Sequence, residues 1–167
     1  NKKYFSANRT MSLIDTHCHI YYDSYKKDFN EVLDRAKANN IKKIICVGVD
    51  LKSSLESIEL AENHDMIHAS VGYHPHESKE VGKNYLNELE EMLNHKKVVA
   101  LGEIGLDFHY NHSNKSIQIK VFKEQLELAK SLNKPVIVHN RNSDNELLRS
   151  IIETKSSKGV VHCFASN

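Results

Sequence analysis

The chain of 167 residues carries almost no net charge, +1 with its histidines neutral. It therefore lacks the basic excess that wraps long nucleic acid, which does not exclude an enzyme that grips only a strand end or one phosphate. No apolar run approaches the roughly 18 residues of a membrane span, so no membrane partner is expected. Cysteine is scarce and odd in number, with Cys18, Cys46 and Cys163 in or beside expected strands. Thiols placed this way fit a reduced, cytoplasmic protein better than a disulfide framework. No glycine-rich phosphate loop follows the first apolar segment, which counts against dinucleotide-binding and P-loop sheets. Residues 1–10 are polar, without the apolar centre of a signal peptide. Met11 reads as the natural start, so 1–10 are expected to be a disordered leader or upstream segment and 11–167 the domain.

What is present is a regular alternation. With 40% hydrophobic and 27% charged residues, the composition suits one globular domain with a real core. Strands are expected at 12–16, 41–49, 68–72, 98–102, 135–138 and 160–161. Helical stripes lie between them: residues 27–39 with Phe29, Val32, Leu33 and Ala36, then Leu51, Leu55, Ile58 and Ala61, then Tyr85, Leu86, Leu89, Met92 and Leu93. A longer helix over 115–132 carries Ile119, Phe122, Leu126, Ala129 and Leu132. The last carries Leu147, Leu148, Ile151 and Ile152, with Ser143 and Glu146 as a capping box. Strict alternation argues for a parallel sheet with right-handed crossovers. An open doubly wound sheet and a (β/α)₈ barrel both satisfy it. Nearly every strand ends in a polar, ligand-like residue, and a barrel gathers such ends at one mouth. The fold class expected is therefore α/β, an incomplete TIM barrel with about six of its eight strands, the first three quarters of such a fold.

The strand ends carry the chemistry. In Ile14-Asp15-Thr16-His17-Cys18-His19 the side chains alternate, so His17 and His19 share a side, about 7 Å apart along an extended strand. Glu103, His139 and His162 stand at later strand ends. Four imidazoles and one carboxylate suit Zn²⁺, Mn²⁺ or Fe rather than the oxygen cage of Ca²⁺. Glu103 has two oxygens and can bridge two ions about 4 Å apart, as two-metal hydrolases require. His17 with His19 would then hold one ion, and His139 with His162 the other. His74, in Gly-Tyr-His-Pro-His, is placed to meet a phosphate or a developing charge, or else simply to turn a loop. His76 reads as exposed loop. Arg141 follows His139 by two and suits bidentate phosphate recognition, with a surface ion pair to Asp144 or Glu146 as the alternative. Asp107 either orients a ligand or opens a turn. His64, His68, His95, His109 and His112 read as solvated, and Cys18 and Cys163 as small buried apolar side chains.

Five segments together resemble a known family. Ile14-Asp15-Thr16-His17-Cys18-His19, Gly72-Tyr73-His74-Pro75-His76, Gly102-Glu103-Ile104-Gly105-Leu106-Asp107, Val136-Ile137-Val138-His139-Asn140-Arg141 and Gly159-Val160-Val161-His162-Cys163-Phe164 are similar, in order and spacing, to the motifs of TatD-type metal-dependent deoxyribonucleases. The resemblance runs from Met11 to the end of the chain. It implies a TIM-barrel metallo-dependent hydrolase acting on DNA strand ends, often 3′→5′ on single strands. It also implies a cofactor of two divalent ions (Mg²⁺, Mn²⁺ or Zn²⁺), with His17, His19 and Glu103 on one and Glu103, His139 and His162 on the other. The resemblance puts His74 and Arg141 beside the substrate phosphate, and no stable protein partner is expected. Two departures stand out. The family's Thr-Asp aspartate, which binds metal and helps activate the attacking water, has no counterpart in these residues. Asn142 stands where an acidic residue is usual, with Asp144 two positions on. The competing readings are a barrel metallohydrolase acting on an ester or cyclic amide, and a metal-binding fragment without turnover.

Overall fold

The structure, a computed structural model, describes residues 12–164. The leader expected over 1–10 and the start at Met11 lie outside the described residues. Six strands alternate with five α-helices: β1 Leu13–Cys18, α1 Phe29–Ala38, β2 Ile41–Val47, α2 Leu51–Asn63, β3 Ile67–Val71, α3 Tyr85–Leu93, β4 Val98–Asp107, α4 Lys115–Ser131, β5 Val136–Arg141, α5 Asp144–Thr154 and β6 Gly159–Val161. Every pairing is parallel. The strand order is the chain order, β1 through β6.

That order decides between the two closures. A doubly wound sheet reverses its strand order at a switch point, and this one never does. Neighbouring strands lie about 4.8 Å apart, so a flat sheet would put β1 about 24 Å from β6. Yet the His17 ring near the end of β1 stacks on the His162 ring just past β6, with centroids 3.9 Å apart. The sheet is rolled, and the molecule is a partial TIM barrel with six of the eight strands of the complete fold.

Side-chain alternation sorts the strands into two layers. Ile44 and Cys46 of β2, and Val136 and Val138 of β5, join the main core beneath the helices, with Phe122, Leu126 and Leu89. Val47, Ala100 and Ile137 form a small second cluster with Ile45 against it. Cys18 packs against the main core, as its place between two inward histidines requires, while Cys163 is exposed rather than buried. The chain leaves β6 at Val161 and passes through a positive φ of 47° at Cys163, which ends the alternation that would have buried the thiol. Leu13, Ile14 and Val160 are also exposed, since β1 and β6 each have one paired neighbour among the described residues. No helix among those residues is long and apolar enough to cross a membrane.

Two expected features differ. In α2 the buried side is Ser53, Ser54, Ser57 and Ala61, whereas Leu55 is exposed. A Cβ on Gly48 would meet the Ser54 hydroxyl at 2.4 Å, so helix and strand end approach too closely for anything larger. The capping box also sits on this helix: Asp50 accepts from the Ser53 N–H (2.7 Å) and the Ser53 hydroxyl accepts from the Asp50 N–H (3.1 Å). Ser143 caps nothing, because its hydroxyl donates to the Leu106 carbonyl of β4 at 3.0 Å.

Candidate metal centre

β4 is longer than its apolar run suggested. It continues to Asp107, so Glu103 lies inside the strand and is 4% exposed. β5 likewise carries His139 and Arg141 within it. Around the Glu103 carboxylate stand five imidazoles. Oε2 lies 3.3 Å from His17 Nε2 and 3.7 Å from His19 Nε2. Oε1 lies 2.7 Å from His162 Nε2, 3.1 Å from His139 Nδ1 and 3.9 Å from His74 Nε2. Residues from β1, β4, β5 and the turns after β1, β3 and β6 thus converge on one acid.

Tautomers follow from the partners. Nδ1 of His19 lies 2.8 Å from the Val47 carbonyl, which can only accept, so Nδ1 carries the proton. Neutral His19 then presents a bare lone pair at Nε2 to a carboxylate oxygen, which is repulsive unless a proton or a cation lies between them. Burial, only partly offset by Glu103, pushes the His19 pKa down and disfavours the proton. His17 Nδ1 is buried without a hydrogen-bond partner. A cation among these nitrogens fits the donor set.

Two groups of three residues have ligand atoms all within 4.8 Å of one another: His17, Glu103 and His162, and His74, Glu103 and His139. Glu103 is common to both. The grouping differs from the one the resemblance implies, because His162 stacks on His17 and His74 lies beside His139. His74 is a different kind of neighbour, however. Its Nδ1 accepts the His76 backbone N–H at 3.2 Å, so Nε2 bears the hydrogen and faces the cleft as a donor. Burial depresses its pKa to about 3, and the ring is neutral.

Asp107 supports the cluster from behind. One oxygen accepts the backbone N–H groups of His109 and Tyr110, each at 3.0 Å. The other meets His76 Nε2 at 2.9 Å and His139 Nε2 at 3.1 Å. Burial would raise the Asp107 pKa, but the Tyr110 N–H and the two imidazoles outweigh it and hold the carboxyl at about 2. For His139, burial opposes the charge, yet Glu103 and Asp107 outweigh it and raise the pKa. Burial likewise works against ionised Glu103, and the hydrogen bonds from His139, His162 and His17 reverse it, leaving the carboxyl well below the usual range. A carboxylate fixing the far nitrogen of an imidazole is the usual support for a metal-binding histidine.

Arg141 is exposed on the same cleft, its guanidinium over the Tyr110 ring at 4.5 Å from the centroid. Glu146, one of the expected partners, pairs instead with Arg149 at 3.0 Å. The cleft has a volume of about 550 Å³. His76 is not exposed loop but half-buried against Asp107, because Pro75 starts a short 3₁₀ turn, Pro75–Glu80, that folds it back. His68 lies inside β3, half-buried, whereas His109 and His112 are exposed as expected. Two buried glutamines of α4, seven residues apart, are not among the candidates that the sequence marks. Gln125 clamps both backbone groups of Tyr73, accepting its N–H at 2.8 Å and donating to its carbonyl at 3.1 Å. Gln118 does the same to Asp107, at 2.9 and 3.0 Å. The available signal was their helical phase, which puts two polar residues on the apolar face with Phe122 and Ala129.

Comparison with known proteins agrees with this geometry. The family model described as TatD related DNase matches residues 14–167. The chain is 38% identical over 157 residues to the uncharacterized metal-dependent hydrolase YabD of Bacillus subtilis, covering 93% of this chain and 62% of that protein. It is 33% identical over 164 residues to the deoxyribonuclease Tat-D of Schizosaccharomyces pombe, covering 89% of this chain and 53% of that protein. The crystal structure of YJJV, a TatD homolog from Escherichia coli K12, superposes with a TM-score of 0.86 at 33% identity, over 93% of this chain and 61% of that one. The chain spans about three fifths of the length of the curated relatives it matches most fully.

Proposed function

The chain belongs to the TatD-related DNase family, and from that membership we propose that its cleft hydrolyses phosphodiester bonds at DNA strand ends, as a 3′→5′ exonuclease on single strands. The cofactor is two divalent ions, Mg²⁺, Mn²⁺ or Zn²⁺, held by His17, His19, Glu103, His139 and His162. The observation that carries the reading is the sharing of one buried carboxylate, Glu103, by two groups of ligand-type residues. When bound, the ions supply Lewis acidity at phosphoryl oxygens and make a coordinated water more acidic.

The chain's own residues do the rest. Glu103 would be the ligand common to both groups of residues that hold metal. His19 is aimed by its hydrogen bond to Val47, and His139 by Asp107. His74 and Arg141 bind the substrate phosphate, the first through its Nε2–H and the second through a charged fork matched to phosphate oxygens. A neutral His74 donates to phosphate without repelling nearby cations, which favours this role over ligation. No lysine lines the cleft among the described residues, so the bridging role falls to Glu103; this counts against a cyclic-amide hydrolase with a carboxylated lysine.

Calorimetric titration of chelator-treated protein with Mn²⁺ tests the reading, together with cleavage of an end-labelled single strand. Two ions per chain are expected, with Glu103→Gln losing the binding and with cleavage restored by Mn²⁺. Cleavage that persists in chelator, or hydrolysis of a lactone or cyclic amide with none of DNA, overturns it. Metal binding without turnover would leave a metal-binding module in place of the nuclease.

A further inference from the structure

Two large aromatic rings of the cleft belong neither to the core nor to the residues that would hold metal. Tyr22, in the turn after β1, is 48% exposed and stacks on the His19 ring, with centroids 5.3 Å apart and planes 18° apart. Tyr110, in the loop after β4, is 51% exposed, lies beneath the Arg141 guanidinium and has the His112 ring stacked beside it at 5.7 Å and 23°. Single exposed tyrosines are ordinary. Both line the cleft that contains Glu103. Both are also braced, Tyr22 by the edge of Tyr21 at 4.9 Å and Tyr110 by the edge-on ring of His76 at 5.7 Å. A ring held in place has little freedom left to lose when a flat ligand stacks on it.

The chemistry that fits braced, half-exposed aromatic rings beside a phosphate-binding arginine is an unpaired nucleobase joined to a phosphodiester. Every base has a π-face, so stacking tolerates any sequence. Bases inside a duplex already have both faces covered by their neighbours and would first have to unstack. We propose that Tyr22 and Tyr110 are stacking platforms for the unpaired bases flanking the phosphodiester bond at Glu103, an assignment that rests on the phosphodiesterase reading above. The two tyrosines thereby select single-stranded ends, while Arg141, held over Tyr110, delivers its charge to the adjoining phosphate.

Fluorescence anisotropy with Mn²⁺ present tests this, using a short fluorescein-labelled single strand with phosphorothioate linkages and the same strand lacking its 3′-terminal bases. Tyr22→Ala and Tyr110→Ala are each expected to weaken binding of the complete strand about tenfold, the effect of losing one base–aromatic stack. Tyr22→Phe and Tyr110→Phe keep the ring and should bind like the parent protein. The abasic strand should bind the parent and both alanine variants alike, and about tenfold more weakly than either variant binds the complete strand, because it lacks both stacks. Equal binding of the two strands by the parent protein overturns the platforms and leaves the phosphodiesterase reading standing. So does a phenylalanine variant as weak as its alanine counterpart. If the Mn²⁺-loaded parent protein binds neither strand, the phosphodiesterase reading fails and the platforms fall with it.

Discussion

Replacing Gln125 with leucine tests how the site is held to the helical layer. Gln125 is fully buried, and its amide accepts the Tyr73 N–H at 2.8 Å and donates to the Tyr73 carbonyl at 3.1 Å. Leucine keeps the approximate volume and removes both bonds, leaving two buried backbone groups without partners. Each such group costs about 1–3 kcal/mol, so the variant should lose roughly 2–6 kcal/mol. A domain of this size has only about 5–15 kcal/mol to lose. At roughly 2–4 °C per kcal/mol the melting temperature should fall by about 4–24 °C. Calorimetric melting measures the loss. Because Tyr73 precedes His74, the same variant should also bind the labelled strand less tightly, whereas Leu126→Ala, buried one residue further along α4, should cost comparable stability without that loss at temperatures where both are folded. A stability loss below about 1 kcal/mol would mean that the Tyr73 groups find other partners, and the clamp would be refuted. Equal weakening of binding by Leu126→Ala would refute its positioning role.

Gly105 has φ of +139°, and a Cβ there would lie 2.0 Å from the His139 carbonyl oxygen. Gly105→Ala should therefore separate β4 from β5 and be read as loss of soluble protein or, where it folds, loss of Mn²⁺ binding in the titration; unchanged Mn²⁺ binding would contradict that close approach. Alkaline pH should destabilise the fold, because burial raises the pKa of Tyr73, and burial with the Glu124 carboxylate that of Tyr85. Above a pH of about 10 the unfolded chain releases protons that the native chain retains, so stability falls as pH rises, by at most about 1.4 kcal/mol per unit for each tyrosine. Urea unfolding of the parent and of Tyr85→Phe on either side of that pH measures it, and equal slopes for the two would exclude Tyr85 as a source.

Much of this was legible in the chain because it depends on local periodicity. The alternation of apolar strands and helical stripes marked all six strands and five helices, and residues of ligand type at strand ends marked the cluster around Glu103. What stayed hidden depends on contacts between distant segments. The choice of a rolled sheet needed the strand order and the stacking of His17 on His162. The small face of α2 is imposed by Gly48, which a pattern of leucines cannot reveal. Ser143 carries the letters of a cap but spends its hydroxyl on Leu106. Gln118 and Gln125 look like solvent positions until their amides meet backbone groups at the ends of β3 and β4. His76 reads as solvent-facing in the sequence because the turn that Pro75 starts cannot be aimed from sequence.

The site and the roll of the sheet are one feature. His17 and His162 come from the first strand and from the residue after the sixth, the two least supported edges among the described residues, yet their rings are in contact over Glu103. Hydrogen bonds between neighbouring strands leave the curvature of the sheet open; an attraction between its two ends does not. Without a cation, that attraction is the cluster's own imidazole–carboxylate contacts, which include the repulsive facing of the His19 lone pair and Glu103. On the proposed reading His17, Glu103 and His162 would jointly hold a divalent ion, which would tie β1, β4 and the end of β6 together. Ion binding and closure of the sheet then share one free energy. Residues that fix the curvature from outside the cleft, Gly105 and the two glutamines of α4, should therefore act on metal affinity as ligands do.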